Sequence, residues 1–561
     1  MNPQGLSHII LVLLFRIRRV KCDERVPHCL RCESSGRVCD GYLDESSNFI
    51  SRRQLADRLK NVSVVGPASR VLVRNAPPSM LPPAMSAQEY IYFDLFRAVT
   101  AMDTDSAFIP SGFWSRDLLQ LAHNEPAVWH ATLALGALHQ RWGEIEPAVA
   151  AEKKDMLLLS ATRHYGKAMA LAANVDRPEV LLALSLALVA AANMFGFWRE
   201  AHAHMLAGMK LLEKGNHISS RRSLMDMNCI TSTLIRMDLQ SMTFSDSSSP
   251  YPFDKASSLE DLAGRRAAPA HPDQQPLESY SQAATVLFAL IRQLVLTDRA
   301  FSTGLIEPAA HNTARFNIIQ NIMHFEEQMA QFETQQHQPP KNTTTAFIYI
   351  RIYHAWLRLL SKIPFYSSQM EYDNYLGHFE RIIVLCHVFL RRQKDTGDRR
   401  MLLSLEPAVI VPLFDTVKRC RHPQLRRLAL KLLNSMSRHE GMWRSDGAAA
   451  AAQVLIMVEE GVSKEELLGS LDGLEVTEAQ EKAALYSPWN AWSVSSNYEP
   501  PCGCAWTGSE TVWEHDRIGE VMILSSFEEH RFQLRLVMST GDPAQPYGDV
   551  KDITLTIGEE V

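Results

Sequence analysis

Four cysteines with the spacing C-x6-C-x2-C-x6-C stand in Arg16-Ile-Arg-Arg-Val-Lys-Cys22-Asp-Glu-Arg-Val-Pro-His-Cys29-Leu-Arg-Cys32-Glu-Ser-Ser-Gly-Arg-Val-Cys39. Two thiolates separated by two residues can approach one tetrahedral zinc ion. The longer steps allow the chain to fold back so that a second pair completes the site. The sequence therefore predicts a zinc centre with these ligands: Cys22, Cys29, Cys32 and Cys39.

The residues before this centre carry a dense positive charge, supplied by Arg16, Arg18, Arg19 and Lys21. Residues 16–74 contain 13 Lys and Arg against 7 Asp and Glu, net +6, and the rest of the chain, at 44 against 56, is net −12. A basic segment on an acidic body is typical of a nucleic-acid binder with a separate regulatory part. We expect these cations to contact the phosphates of a nucleic acid.

This segment resembles the fungal Zn(2)-Cys(6) binuclear zinc-cluster DNA-binding domain. The resemblance implies six cysteines around two zinc ions and a short helix that reads a CGG-like triplet in the major groove. Within it, the four cysteines match the third to sixth ligands, Pro27 matches the loop proline, and residues 16–21 match the basic recognition stretch. It further implies that Arg19 and Lys21 contact base edges, while Arg16 and Arg18 hold phosphates.

The first two ligands of that pattern are missing. Counting back from Cys22 places them at Val12 and Phe15, within an apolar run that no zinc module requires. We expect residues 1–15 to derive from a mispredicted start or a translated intron. In the chain as written, four thiolates suffice for one tetrahedral zinc ion, and His8 or His28 is an alternative nitrogen ligand.

The chain divides by composition into five parts. Residues 1–15 are apolar, 16–43 form the partial zinc-cluster domain, 44–85 are a polar linker that becomes proline-rich, 86–475 are helical, and 476–561 form the C-terminal region. The linker has too few apolar residues at heptad spacing for a coiled coil, so the oligomeric state stays open.

Residues 86–475 carry the pattern of an all-α domain. Asp176 and Glu179 predict a capped helix start. The run Val180–Val189 that follows is apolar around the whole helix, apart from Ser185, and is therefore predicted to be buried. Gly196 predicts its end, and a second helix to Gly215 predicts a helical hairpin. Further helices are predicted over 125–142, 153–173, 223–243, 278–299, 343–361, 374–393 and 423–436, and exposed loops over 245–276 and 327–343.

The C-terminal region changes pattern. Val521–Leu524 and Gln533–Val537 are short apolar or alternating runs, which predict strands. The predicted fold class is mainly α: a small N-terminal zinc-cluster module, a large all-α regulatory domain and a short β-rich C-terminal tail.

The start of the helical part resembles the fungal-specific transcription factor regulatory domain, on Tyr92–Phe96, Gly112–Arg116 and Leu119–His139. The resemblance covers about 86–475 and implies contact with coregulators or the transcription machinery, and a small-molecule effector. His130 and His139 in this stretch, and His202 and His204, are expected to be packing or surface residues rather than metal ligands.

Several function classes are disfavoured. The nine cysteines are odd in number and scattered, which argues against a disulfide framework. No apolar run is long enough to predict a membrane span. The sequence contains no G-x-S-x-G, H-E-x-x-H, Walker A or G-x-G-x-x-G string, so we expect no enzyme. The simplest localisation is the nucleus, with the basic cluster as import signal.

Two functions therefore remain. The first is a sequence-specific, DNA-binding transcription regulator. The alternative is a helical protein-interaction protein that has lost DNA binding because its zinc cluster is incomplete.

Overall fold

The described part of the chain in the computed structural model begins with a helix at Ala87. The structure describes residues 86–101, 104, 112–143, 147–214, 227–243, 276–335, 344–364, 367–394, 402–490, 512–525, 531–542 and 548–556.

The N-terminal helices pack mainly on their neighbours in the chain. Their bounds are α1 (Ala87–Leu95), α2 (Leu118–Asn124), α3 (Pro126–Gly143), α4 (Pro147–Ala172), α5 (Pro178–Phe195) and α6 (Trp198–Lys214), with π-helical turns at Phe96–Thr100 and Phe113–Asp117.

The most apolar of these is α5, in which every side chain from Val180 to Met194 is buried. Gly196 ends the helix in the left-handed region with φ +77°, as the glycine predicted. The start was predicted wrongly at Asp176: the N-cap is Arg177, without a side-chain cap, because Pro178 occupies the first helical position. By length and composition α5 could cross a membrane, but 83% of it is buried inside the protein.

The central helices are α7 (Met227–Thr243), α8 (Tyr280–Ser302), α9 (Pro308–Gln335), α10 (Thr345–Lys362) and α11 (Leu376–Lys394), with a 3-10 turn at Gln369–Tyr375. The predicted loop over 327–343 is wrong in its first part. Helix α9 continues to Gln335 because Phe325, Met329 and Phe332 recur at helical spacing and are buried. The predicted loop over 245–276 lies almost entirely outside the described residues.

The remaining helices and strands follow α11. They are β1 (Leu402–Ser404), α12 (Ile410–Arg419), α13 (Pro423–Asn434), β2 (Arg438–Glu440), β3 (Trp443–Arg444), α14 (Ser445–Glu460), α15 (Lys464–Gly469), α16 (Glu478–Tyr486), β4 (Ile518–Ser525), β5 (Arg531–Met538) and β6 (Val550–Thr556).

Two small sheets lie among these elements. In one, β2 pairs with β1 in parallel and with β3 antiparallel. In the other, β4, β5 and β6 form an antiparallel sheet in chain order. The predicted mainly α fold with a short β-rich tail is therefore confirmed, and β6 adds a strand that the sequence did not indicate.

One hydrophobic cluster joins the central and C-terminal parts, from Ile235 on α7 to Met538 on β5. Inward-facing Val521 and Leu536 place the C-terminal sheet on this cluster. The sheet is therefore packed on the helical body rather than appended to it.

Candidate functional site

The predicted metal ligands and DNA contacts lie outside the described residues. This applies to Cys22, Cys29, Cys32 and Cys39 and to Arg16, Arg18, Arg19 and Lys21. It also applies to residues 1–85 as a whole. Within the described residues, Cys229, Cys386 and Cys420 are buried and form no disulfide.

A cluster of possible ligands occurs instead at the beginning of the helical body. Glu89 on α1, His130 on α3 and His164 on α4 have ligand atoms that all lie within 4.8 Å of one another. We refer to these three residues as the His–Glu cluster.

Close backbone contact between α1 and α3 positions Glu89. A Cβ atom added to Gly136 on α3 would lie 2.0 Å from the carbonyl oxygen of Tyr92 on α1. Only a glycine fits there, and its absence of a side chain lets the two helices cross in contact. Ser86 starts α1 with a capping box, in which Oε2 of Glu89 accepts hydrogen bonds from the backbone N–H and hydroxyl of Ser86.

The two histidines of the cluster face each other directly. Their Nδ1 atoms are 3.0 Å apart, and their rings are stacked with centroids 5.2 Å apart. The ring of Tyr92 lies edge-on to His164, with centroids 6.3 Å apart. His164 is 5% exposed, so one ligand atom of the cluster is held in the protein interior.

Both histidines are neutral at physiological pH. Burial, followed by the neighbouring His130, lowers the pKa of His164 to about 4. Burial and then Lys167 lower the pKa of His130. Burial acts to raise the pKa of Glu89, but the hydrogen bonds from Ser86 and the nearby histidines outweigh it and the pKa is lowered. The cluster therefore offers two neutral imidazoles and a carboxylate.

The other histidines singled out in the sequence are separated by the fold. His139 contacts Thr100, with 2.7 Å between Nδ1 and Oγ1, and His204 contacts the hydroxyl of Tyr165, with 2.7 Å between oxygen and Nε2. These are packing contacts, as expected. His130 was expected to be of the same kind, and no local motif reveals its proximity to Glu89 and His164.

A second feature is a set of buried carboxylates that join distant parts of the chain. Glu406 accepts a hydrogen bond of 2.9 Å from the indole of Trp114 and one of 2.5 Å from Nε of Arg236. The first of these joins residues 292 positions apart. Such contacts distinguish this body from a solenoid, in which each repeat contacts only its neighbours.

The side-chain carboxylate of Glu440, a residue of β2, lies at the beginning of α12. The backbone N–H groups of Ala408 and Ile410 each donate to it at 3.0 Å, and Arg438 donates to it at 2.8 Å. A carboxylate at this position satisfies N–H groups that have no partner within the helix and complements the helix dipole.

Glu459 on α14 holds the C-terminal sheet to the body. Its carboxylate accepts hydrogen bonds from Arg421 at 2.8 Å, from Arg426 at 2.6 Å, and from the backbone N–H of Ile518 on β4 at 2.6 Å. All three charged side chains are fully buried. Burial acts to raise the pKa of Glu459, but the two arginines outweigh it, and the pKa is lowered.

Comparison with known proteins gives the family. Residues 92–437, which include most of the helices described above, match the fungal specific transcription factor domain. The chain belongs to this family. Its members are transcription regulators, a class that is not enzymatic, in agreement with the sequence-based expectation.

A second match covers the cysteine-rich segment. Residues 16–48 match the fungal Zn(2)-Cys(6) binuclear cluster domain, which confirms the resemblance and identifies zinc as the cofactor of this domain. The matched range begins at Arg16 and contains four cysteines of the six in the full pattern. This donor set fits one tetrahedral zinc ion and lacks two thiolates for a second.

Two curated relatives are regulators by name. The chain is 29% identical over 210 residues to the aspercryptin biosynthesis cluster-specific transcription regulator atnN of Emericella nidulans, covering 35% of this chain and 33% of the relative. It is 28% identical over 175 residues to the transcription regulator lscL of Purpureocillium lilacinum, covering 30% of this chain and 39% of the relative. The chain thus spans between a third and two fifths of these relatives. No solved structure matches it.

Proposed function

We propose that this chain is a nuclear, sequence-specific regulator of transcription by RNA polymerase II that binds CGG-like sites in double-stranded DNA. The observation that carries the proposal is the C-x6-C-x2-C-x6-C spacing directly behind four cations, within a segment that matches a zinc-cluster domain. In this proposal residues 16–43 bind DNA, 44–85 form the linker and 86–475 carry regulation.

The proposed roles within the basic segment are those that the resemblance to the zinc-cluster domain implies. Zinc, held by Cys22, Cys29, Cys32 and Cys39, stabilises a module too small to fold on a hydrophobic core. Arg19 and Lys21 contact base edges in the major groove, and Arg16 and Arg18 contact phosphates. Base contacts supply sequence preference, whereas phosphate contacts supply affinity that falls with salt.

The Arg19→Ala variant tests this division of roles. We expect it to lose about 1–3 kcal/mol of binding free energy on a CGG duplex and to discriminate less between that duplex and one with an altered triplet. The matched variant Arg18→Ala should weaken binding to both duplexes alike and reduce the salt slope by about one unit. Fluorescence anisotropy titrations at several salt concentrations measure both quantities. Equal losses on the two duplexes for both variants would contradict a base-reading role for Arg19.

The helical body is the proposed site of regulation. Its connected hydrophobic cluster and buried ion pairs make it a single packed unit to which coregulators, the transcription machinery or a small effector can couple. The name of the relative from Emericella nidulans supports genes of a biosynthetic cluster as the class of target.

One observation favours a second function. Val12 and Phe15 stand where the zinc-cluster pattern has its first two ligands. A chain with that segment can be a helical interaction protein without DNA binding, which acts through the body alone. The amount of cysteine-bound zinc and binding to a CGG duplex separate the two functions.

A further inference from the structure

We propose that the His–Glu cluster is a second metal site, independent of the cysteine centre, which holds a divalent transition ion of the zinc type between α1, α3 and α4. Its ligands are Nδ1 of His130, Nδ1 of His164 and a carboxylate oxygen of Glu89, with water completing the tetrahedron. This site lies in the regulatory body and adds to the proposed function above without depending on it.

The distances agree with a tetrahedral ion. Two nitrogen ligands at about 2.0–2.1 Å from zinc, with a tetrahedral angle between them, are about 3.3 Å apart. The two Nδ1 atoms are 3.0 Å apart in the structure. The ligand atoms of all three residues lie within 4.8 Å of one another, and rotation of the Glu89 side chain can shorten the distances from its carboxylate to the two histidines.

The arrangement of the two rings favours a cation over a shared proton, because their Nδ1 atoms face each other at 3.0 Å. Two neutral rings facing each other through Nδ1 form one hydrogen bond only if they adopt opposite tautomers. A metal ion instead accepts a lone pair from both, and neutral imidazole is the form that binds zinc.

One carboxylate and two exposed cations surround the cluster. Glu89 contributes the negative charge that a divalent ion requires, and its capping bonds use Oε2, so the carboxylate has a second oxygen for the ion. Lys167 and Arg163 on α4 are the neighbouring cations. Both are exposed, and their charge is therefore screened by solvent.

Such a site has a structural consequence for regulation. Helix α1 is the first of the described helices, and Glu89 is in its first turn. An ion between Glu89 and the two histidines fastens this helix to α3 and α4. Metal binding therefore stabilises the N-terminal end of the described helical body.

Titration of the full-length protein with Co²⁺ tests the site, after one equivalent of Zn²⁺ has been added to fill the four-thiolate centre and leave the His–Glu cluster empty. A site of two imidazoles and a carboxylate gives a cobalt visible spectrum without the sulfur-to-metal charge-transfer band that cysteine ligands produce. We expect one such ion per chain in the unmodified protein. The His130→Gln and Glu89→Gln variants should bind it at least about 10-fold more weakly.

The control is His123→Gln, which alters an exposed histidine on the adjacent α2 that contacts Phe93. It should bind cobalt as the unmodified protein does. Circular dichroism verifies that every variant is folded, and added Zn²⁺ should raise Tm in the unmodified protein and in His123→Gln only.

Two results would overturn the proposal. In the first, the unmodified protein gives no cobalt spectrum other than one with the sulfur charge-transfer band. In the second, the unmodified protein and the three variants give the same spectrum. Failure of the cysteine centre leaves this readout unchanged, so the two outcomes are distinguishable.

Discussion

Replacement of Glu459 by alanine is expected to destabilise the helical body by about 3–5 kcal/mol. The substitution leaves Arg421 and Arg426 fully buried without the carboxylate that both of them contact. The cost of an unpaired buried cation exceeds the value of the ion pair itself. Arg421 loses the carboxylate of its ion pair, whereas Arg426 retains its contact with Glu460. The loss also removes the acceptor of the N–H of Ile518, so β4 should detach first.

The neighbouring residue supplies the matched control. Glu460 contacts Arg426 and Arg427, but its side chain and that of Arg427 are partly exposed. Pairs that remain in contact with solvent contribute at most about 1 kcal/mol. Urea unfolding of Glu459→Ala and Glu460→Ala measures the difference, and hydrogen exchange of residues 518–525 reports on β4. Equal destabilisation by the two substitutions would show that Glu459 does not organise this region.

Acidification is the second condition with a large expected effect. Burial lowers the pKa of His204 to about 4. Burial together with nearby cations, Lys362 and Arg444 among them, lowers the pKa of His378 and of His439 to about 3. In the unfolded chain these histidines titrate near pH 6.5. Between pH 6.5 and about 4 the unfolded state therefore binds more protons than the folded state, and the free energy of unfolding falls as the pH falls.

Each such histidine contributes about 1.4 kcal/mol per pH unit near pH 5, so the three together contribute about 4 kcal/mol per pH unit. Urea unfolding followed by circular dichroism at several pH values measures this slope on the helical body. The His204→Gln variant, in which an amide can replace the contact with Tyr165, should lose one histidine's share. The control His123→Gln, at an exposed position, should retain the full slope. A free energy of unfolding that is the same at pH 6.5 and pH 5 would contradict the prediction.

Elements with a strong local pattern could be predicted from the sequence. Helix α5 was recognisable because Val180–Val189 is apolar on every side, and β4 and β5 because their apolar runs are short and bounded by turn residues. The strands β1, β2 and β3 have only two or three residues each, which is too short for any periodicity. The continuation of α9 was missed because its glutamine-rich end resembles a loop in composition, while Phe332 remains buried.

The sites in the helical body had no local signal. Arg421 and Arg426 are 38 and 33 positions from Glu459. From the sequence alone, these three residues cannot be distinguished from charged residues on the surface. His130 and His164 are 34 positions apart. Gly136 allows α1 to approach α3 closely, but in the sequence it is a glycine inside a predicted helix, away from any turn that would call for one. Such sites result from tertiary packing, which brings together residues of no common motif. The cysteine cluster is the opposite case. Zinc binding requires cysteines at a particular spacing, and that spacing is visible in the sequence itself.

The most direct test of the central claim compares the chain as written with the double variant Val12→Cys, Phe15→Cys. Zinc content is measured on both proteins, together with their affinity for a CGG duplex and for a scrambled duplex. We expect one zinc ion in the cysteine cluster of the chain as written and two in that of the double variant, with tight, salt-dependent and CGG-preferring binding by the latter. A double variant that contains no cysteine-bound zinc and does not distinguish the two duplexes would contradict the assignment of this protein as a DNA-binding regulator.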